Sequence, residues 1–164
     1  MSHVSEESGA EFSGFFHAEY GRLGRALYLV TGDRVEAEDI AQEALVRVYE
    51  RWDRVSRMDA PSGYLYRTAM NLARSRRRRL RGAARHRPEV RHDDPMSRVE
   101  ARTDVMAMLA TLPGQQRTAL VLVDWLGFDA DQSARIMRIK NSTMRVHLSR
   151  GRKSLRALME TDDD

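Results

Sequence analysis

Apolar positions recur along most of this chain at three- and four-residue spacing, the period of helices that bury one face, and the elements they predict are all helical. Phe12, Phe15, Phe16, Tyr20, Leu23, Leu27 and Val30 keep that period up to Gly32, which stops the first helix. Asp33, followed three positions later by Glu36, has the form of a capping box and opens a second helix expected to run to about Trp52. Its core stripe is Ala37, Ile40, Ala41, Ala44, Leu45, Val48, Tyr49 and Trp52. A second line, Asp39, Gln42, Glu43 and Val46, falls on roughly the opposite face, acidic with an apolar residue at one end. On most amphipathic helices such a line is only a solvated surface.

Periodicity lapses over Arg54 to Ala60, and Pro61 with Ser62 offers the start of another helix. Leu65, Ala69 and Leu72 face inward there, leaving Tyr64, Arg67, Thr68, Asn71, Arg74 and Arg78 on one outward stripe. An aromatic ring stacks on an unpaired base, a guanidinium holds phosphate, and an asparagine hydrogen-bonds a base edge. Gly82 to Pro95 has no apolar period and reads as an exposed, flexible linker.

Beyond the linker, Val99, Val105, Met106, Leu109 and Leu112 predict a helix broken by Pro113 and Gly114. Gln115 to Leu126 makes the next, with Leu120, Val121, Val123 and Trp125 available for burial. A short helix over about Asp129 to Met137, a tight connection at Arg138 to Lys140 and a basic helix from about Asn141 to Leu158 complete the chain. Two helices so joined, the second basic, have the layout of a helix-turn-helix. Met144, Leu148, Gly151, Leu155 and Leu158 form the inward seam of the last helix, and Ser142, Thr143, Arg145, Val146, Ser149, Arg150 and Lys153 are its candidate DNA contacts.

Composition narrows the function. With 164 residues the chain suffices for one ordinary domain or two small ones. Cysteine is absent, which removes disulfides and thiolate zinc ligation and suits a reducing cytoplasm. Acids occupy the N-terminus and no apolar run approaches spanning length, so neither a signal peptide nor membrane insertion is expected. The net charge of +4 conceals segregation: five acids and one arginine lie between Asp33 and Glu43, whereas Arg74 to Arg87 holds eight arginines and no acid. Gln132 to Met159 adds eight basic residues, again without an acid. Such segregation points to nucleic acid together with a basic protein partner. His3, His17, His86, His92 and His147 are scattered, and no nucleophile–base pair or phosphate loop occurs, so neither catalysis nor a cofactor or metal is expected.

From about residue 12 to 158 the ordered motifs resemble the extracytoplasmic-function (ECF) sigma factors, promoter-specificity subunits of bacterial RNA polymerase, close to the actinobacterial kind. The matching segments are TGDRVEAEDIAQEALVRVYERW and YLYRTAMNLARSRRRR in the first half, then LPGQQRTALVLVDWLGF and STMRVHLSRGRKSLRAL in the second. The resemblance implies a sigma region 2 helical bundle over 1–81, a linker over 82–97 and a region 4 helix-turn-helix over 98–164. It implies that Asp39, Gln42, Glu43 and Val46 dock on the coiled coil of the polymerase's largest subunit. Tyr64, Arg67, Thr68, Asn71, Arg74 and Arg78, with the loop Arg54 to Ser62, would capture the opened non-template strand at the minus-ten element. The last helix would read minus-thirty-five duplex, and an anti-sigma factor is the implied regulatory partner.

Several positions depart from the family pattern. Met70 stands where an arginine is common, and Tyr64 where a tryptophan is common. In the turn, Arg138 stands for glycine, Lys140 for an N-cap serine and Ser133 for an apolar residue; Asn141 is expected to cap one position later. A helix-turn-helix repressor, or an adaptor that keeps polymerase binding without promoter reading, are the alternative functions.

Overall fold

The computed structural model describes residues 6–84 and 100–161, and all regular structure among them is helical. Helix α1 spans Glu6–Thr31 and α2 spans Arg34–Tyr49. Between them Gly32 takes φ +74°, a left-handed backbone that glycine adopts without steric cost. Asp33 caps α2, its carboxylate accepting from the Glu36 amide at 3.0 Å. The reciprocal half of the expected capping box is absent, because the Asp33 amide donates to Thr31 Oγ1 at 3.2 Å instead.

Helix α2 ends at Tyr49 rather than at Trp52, and a short α3, Trp52–Val55, follows. No glycine or proline marks the break. Trp52 remains buried, its ring 5.3 Å from Phe12 and 5.0 Å from Phe15 on α1, so the chain changes direction without giving up that contact. Helix α4 spans Pro61–Ala84 and lies against α1 and α2. Leu23, Leu27, Ile40, Leu45, Val48, Val55, Leu65 and Ala69 fill the core of this first bundle. Each large aliphatic side chain among them contributes about 1.5–3 kcal/mol by leaving water. Three further residues of α4, Tyr66, Met70 and Ala73, are also buried, so Met70 is a packing residue. Residues 82–84 of the expected linker are still helical, and 85–97 lie outside the described residues.

In the second half α5 is Glu100–Ala110 and α6 is Gly114–Leu120. The single helix expected over Gln115 to Leu126 is instead α6 followed by a π-helical turn, Val121–Trp125. There the Leu126 amide donates to the Val121 carbonyl five residues back. The extra residue brings Leu126, and not Trp125, onto the buried face below Val121; Trp125 is 46% exposed, contrary to its expected burial. Val105, counted among the apolar positions of α5, is exposed as well, while Leu109 and Leu112 are buried.

Helix α7, Ala130–Met137, opens on a complete capping box between Asp129 and Gln132. It ends on Arg138 at φ 56°, ψ 44°, the left-handed position where the family pattern has glycine. The turn therefore keeps its geometry at a cost of about 1–2 kcal/mol for a residue with a Cβ. Helix α8 spans Asn141–Thr161 and packs on α6 and α7 through Met144, Leu148 and Gly151. At Gly151 the helices come close: a Cβ there would lie 3.0 Å from Leu120 Cδ1, so a side chain would fit only if Leu120 gave way. Asn141 is the first residue of α8, and its Oδ1 accepts from Arg145 Nε at 3.0 Å, so it tethers an arginine instead of acting as the expected cap.

The two halves touch. Helix α7 lies on α4, and α1 meets α5, α6 and the π-helical turn.

Candidate docking and nucleic-acid interfaces

On α2, Asp39 and Gln42 are exposed, Glu43 is half-buried and Val46 is 56% exposed, so the second stripe faces away from the bundle. The stripe is longer than expected. Val35, 69% exposed, precedes Asp39 by one turn, and Tyr49, 44% exposed, follows Val46 by three residues. Val35, Asp39, Gln42, Val46 and Tyr49 thus make one line with apolar groups at both ends and in its second half. Spacing alone would have found Val35. Tyr49 was masked by its position on the apolar stripe; its ring does pack 4.8 Å from Phe12, but it ends at the surface instead of in the core.

Glu43, beside this line, has two charged partners. Its carboxylate accepts from Arg47 at 2.7 Å and, across to α4, from Arg76 at 3.0 Å. The hydrogen bond from Arg76 holds its pKa below the usual carboxylate range, with Arg47 adding to the effect. This carboxylate is thereby tied to the arginine-rich end of the helix that carries the second candidate site.

That second site lies along α4. Arg67 and Arg78 are exposed, and Tyr64, Thr68, Asn71 and Arg74 are half-buried. The Tyr64 hydroxyl accepts from Arg51 Nη1 at 3.2 Å, and Thr68 Oγ1 is turned back onto the Tyr64 carbonyl at 2.8 Å. Beneath the start of α4, Ser62 Oγ donates to the buried Glu19 at 2.6 Å, which fixes the helix against α1. The next residue of interest, Tyr66, is buried, and burial with the Glu19 charge beside it raises its phenol pKa far above the ordinary value. Arg74 does not point to solvent: its Nη2 donates to the Met137 carbonyl of α7 at 3.2 Å.

Ser142, Thr143, Arg145, Val146, Ser149, Arg150 and Lys153 are all exposed on one side of α8. A basic face with hydroxyls and one valine methyl pair is chemically suited to phosphates, base edges and thymine methyl groups in a major groove.

Among the described residues no cluster of three or more His, Asp or Glu side chains is placed to hold a metal ion. No described helix is long and apolar enough to cross a membrane.

The profile of sigma-70 region 2 matches residues 15–83, and that of sigma-70 region 4 matches residues 102–155. The chain belongs to the sigma-70 family, in its ECF branch. An RNA polymerase sigma-E factor of Streptomyces avermitilis is 28% identical over 156 residues, covering 93% of this chain and 87% of that one. The ECF RNA polymerase sigma factor SigM of Mycobacterium tuberculosis is 27% identical over 163 residues, covering 96% and 81%. The fold matches that of the sigma factor RpoE in its complex with the anti-sigma factor NepR from Bartonella quintana, with a TM-score of 0.76, 21% identity and coverage of 93% and 98% of the two chains. In sigma-factor terms, α1 to α4 make region 2 and α5 to α8 make region 4.

Proposed function

We propose that this sigma factor docks on core RNA polymerase through the α2 line Asp39, Gln42, Glu43 and Val46, and directs initiation by reading two promoter elements. The observation that carries the reading is the coexistence of an exposed acidic and apolar line on α2 with two separate basic faces, on α4 and α8. A nucleic-acid binder alone has no use for the first. Tyr64, Arg67, Thr68, Asn71, Arg74 and Arg78 take the opened non-template strand at the minus-ten element by stacking and phosphate contacts. Ser142, Thr143, Arg145, Val146, Ser149, Arg150 and Lys153 contact the minus-thirty-five duplex. Residues 1–81 and 98–164 are the working domains, joined by a connection over 82–97. The chain performs no chemistry of its own and works in the cytoplasm beside polymerase, with an anti-sigma factor as its regulatory partner.

The left-handed backbone at Arg138 keeps α7 and α8 in helix-turn-helix apposition despite the missing glycine. That favours promoter reading over an adaptor that has lost it. The test is run-off transcription from a promoter-fragment library with core polymerase. Transcripts should appear with the chain and vanish when Asp39 and Glu43 are both replaced by lysine. Polymerase binding without transcripts would favour the adaptor; a specific duplex footprint by the chain alone would favour a repressor.

A further inference from the structure

Arg74 to Arg81 places six arginines in eight positions of α4, with no acid among them. Like charges three and four apart on a helix repel, and the spacing sets Arg74 against Arg78 and Arg77 against Arg81. The partial negative charge at a helix C-terminus favours cations only within the last turn, and α4 runs on to Ala84 beyond most of these residues. Charge alone therefore opposes a helix over this segment, yet all of it is helical. The compensating negative charge comes from α2.

Ala69 and Ala73 lie on the buried face of α4, and Arg76 and Arg77 follow Ala73 by three and four residues. The side turned to the bundle thus changes there from methyl to guanidinium. Helix α2, packed on α4, meets it with two half-buried carboxylates seven residues apart, Glu36 and Glu43. Glu43 uses both oxygens: Oε1 accepts from Arg47 Nη2 on its own helix at 2.7 Å, and Oε2 from Arg76 Nη2 on α4 at 3.0 Å. Burial and the Asp33 charge raise the pKa of Glu36, while the charges of Arg76 and Arg77 oppose the rise. Arg76 is therefore the arginine that both carboxylates feel. The other acids of α2 differ. Glu38 pairs within α2, with Arg34 at 3.6 Å, and Asp39 is exposed and in no ion pair among the described residues.

We propose that Glu43 is a positioning residue: by holding Arg76 it keeps the arginine-rich end of α4 helical, and so fixes Arg74 and Arg78 on one stripe with Tyr64, Arg67 and Asn71. What that stripe captures rests on the sigma-factor reading; the ordering of the helix belongs to the chain alone. Four residues of helix set Arg74 and Arg78 about 6 Å apart along the axis. Groups fixed in that way meet a strand without losing backbone freedom at the moment of binding, which is where a frayed segment would lose affinity. A carboxylate beside the exposed α2 line thereby serves the strand-capturing helix as well.

A cycle of four proteins tests this: the unchanged chain, Glu43→Ala, Arg76→Gln and the two together. In the free chain, amide hydrogen exchange over residues 76–81 should quicken about threefold on Glu43→Ala when Arg76 is present, and should not change when Arg76→Gln has already been made. With core polymerase and a promoter recovered from the run-off library, permanganate reactivity at the minus-ten element, taken per assembled holoenzyme, should fall about threefold with the same dependence on Arg76. Counting only assembled complex removes any loss of docking that Glu43→Ala causes, and a direct strand contact by Arg76 would give no coupling to Glu43. A Glu43→Ala effect of equal size in both backgrounds, or none in either, overturns the proposal. Exchange that follows the pair while strand opening ignores it overturns it too. If the unchanged chain opens no promoter, the sigma-factor reading falls, and exchange alone then decides whether Glu43 orders α4.

Discussion

The two basic helices α4 and α8 carry similar chemistry and differ in availability. Every candidate DNA contact on α8 is exposed, and among the described residues the one side-chain hydrogen bond these groups make is from Arg145 to Asn141 on its own helix. On α4 three of the six candidate groups are already in use: Arg74 bonds α7, Thr68 bonds its own backbone, and the Tyr64 hydroxyl accepts from Arg51. The candidate face of α8 is open as the fold stands, whereas on α4 Arg67 and Arg78 are open and Arg74 is held by α7. Residue type decides what a face can bind; packing decides when.

Breaking the docking of α2 should erase the difference altogether. Asp39→Lys with Glu43→Lys reverses two charges and adds a cation beside Arg47 and Arg76, so polymerase pull-down and transcription should fall by about a hundredfold or more. Arg145→Ala tests the open face. Duplex affinity in a footprint of the holoenzyme should drop by about 1–3 kcal/mol at the base it reads, with polymerase binding unchanged. Asn71→Ala tests the covered face: strand opening, followed by permanganate reactivity, should weaken about tenfold while holoenzyme assembly is retained. Equal loss of both would contradict the role assigned to Asn71.

Two smaller effects sharpen the account of the turn that orients α8. Arg138→Gly relieves a left-handed backbone at φ 56° and should stabilise the protein by about 1 kcal/mol in thermal unfolding. Ser133 is fully buried with its hydroxyl unpartnered, so Ser133→Ala should be neutral to stabilising by about 1 kcal/mol. A loss of stability in either variant would mean that these residues make contacts that compensate for their departure from the family pattern.

Most helices were legible because a buried stripe needs only local periodicity, and the Asp33 and Gly32 signals act within a few residues of themselves. The exposed α2 line was legible for the same reason, since Asp39, Gln42 and Val46 share a face through helix geometry alone. Where local rules misled, a distant partner or an inserted residue had intervened. The pocket made by Phe12 and Phe15 takes Trp52 across the break after α2, and the π-helical turn puts Leu126 where Trp125 was expected. Nothing in the periodicity of α6 separates Arg117 from a surface arginine, because its burial is created by the end of α1, 88 residues earlier. The amino-acid sequence by itself thus determined which faces exist and what chemistry each carries. Only the tertiary structure decided which of them are free, because occupancy is set by contacts between residues far apart in the chain, to which a pattern of three and four is blind.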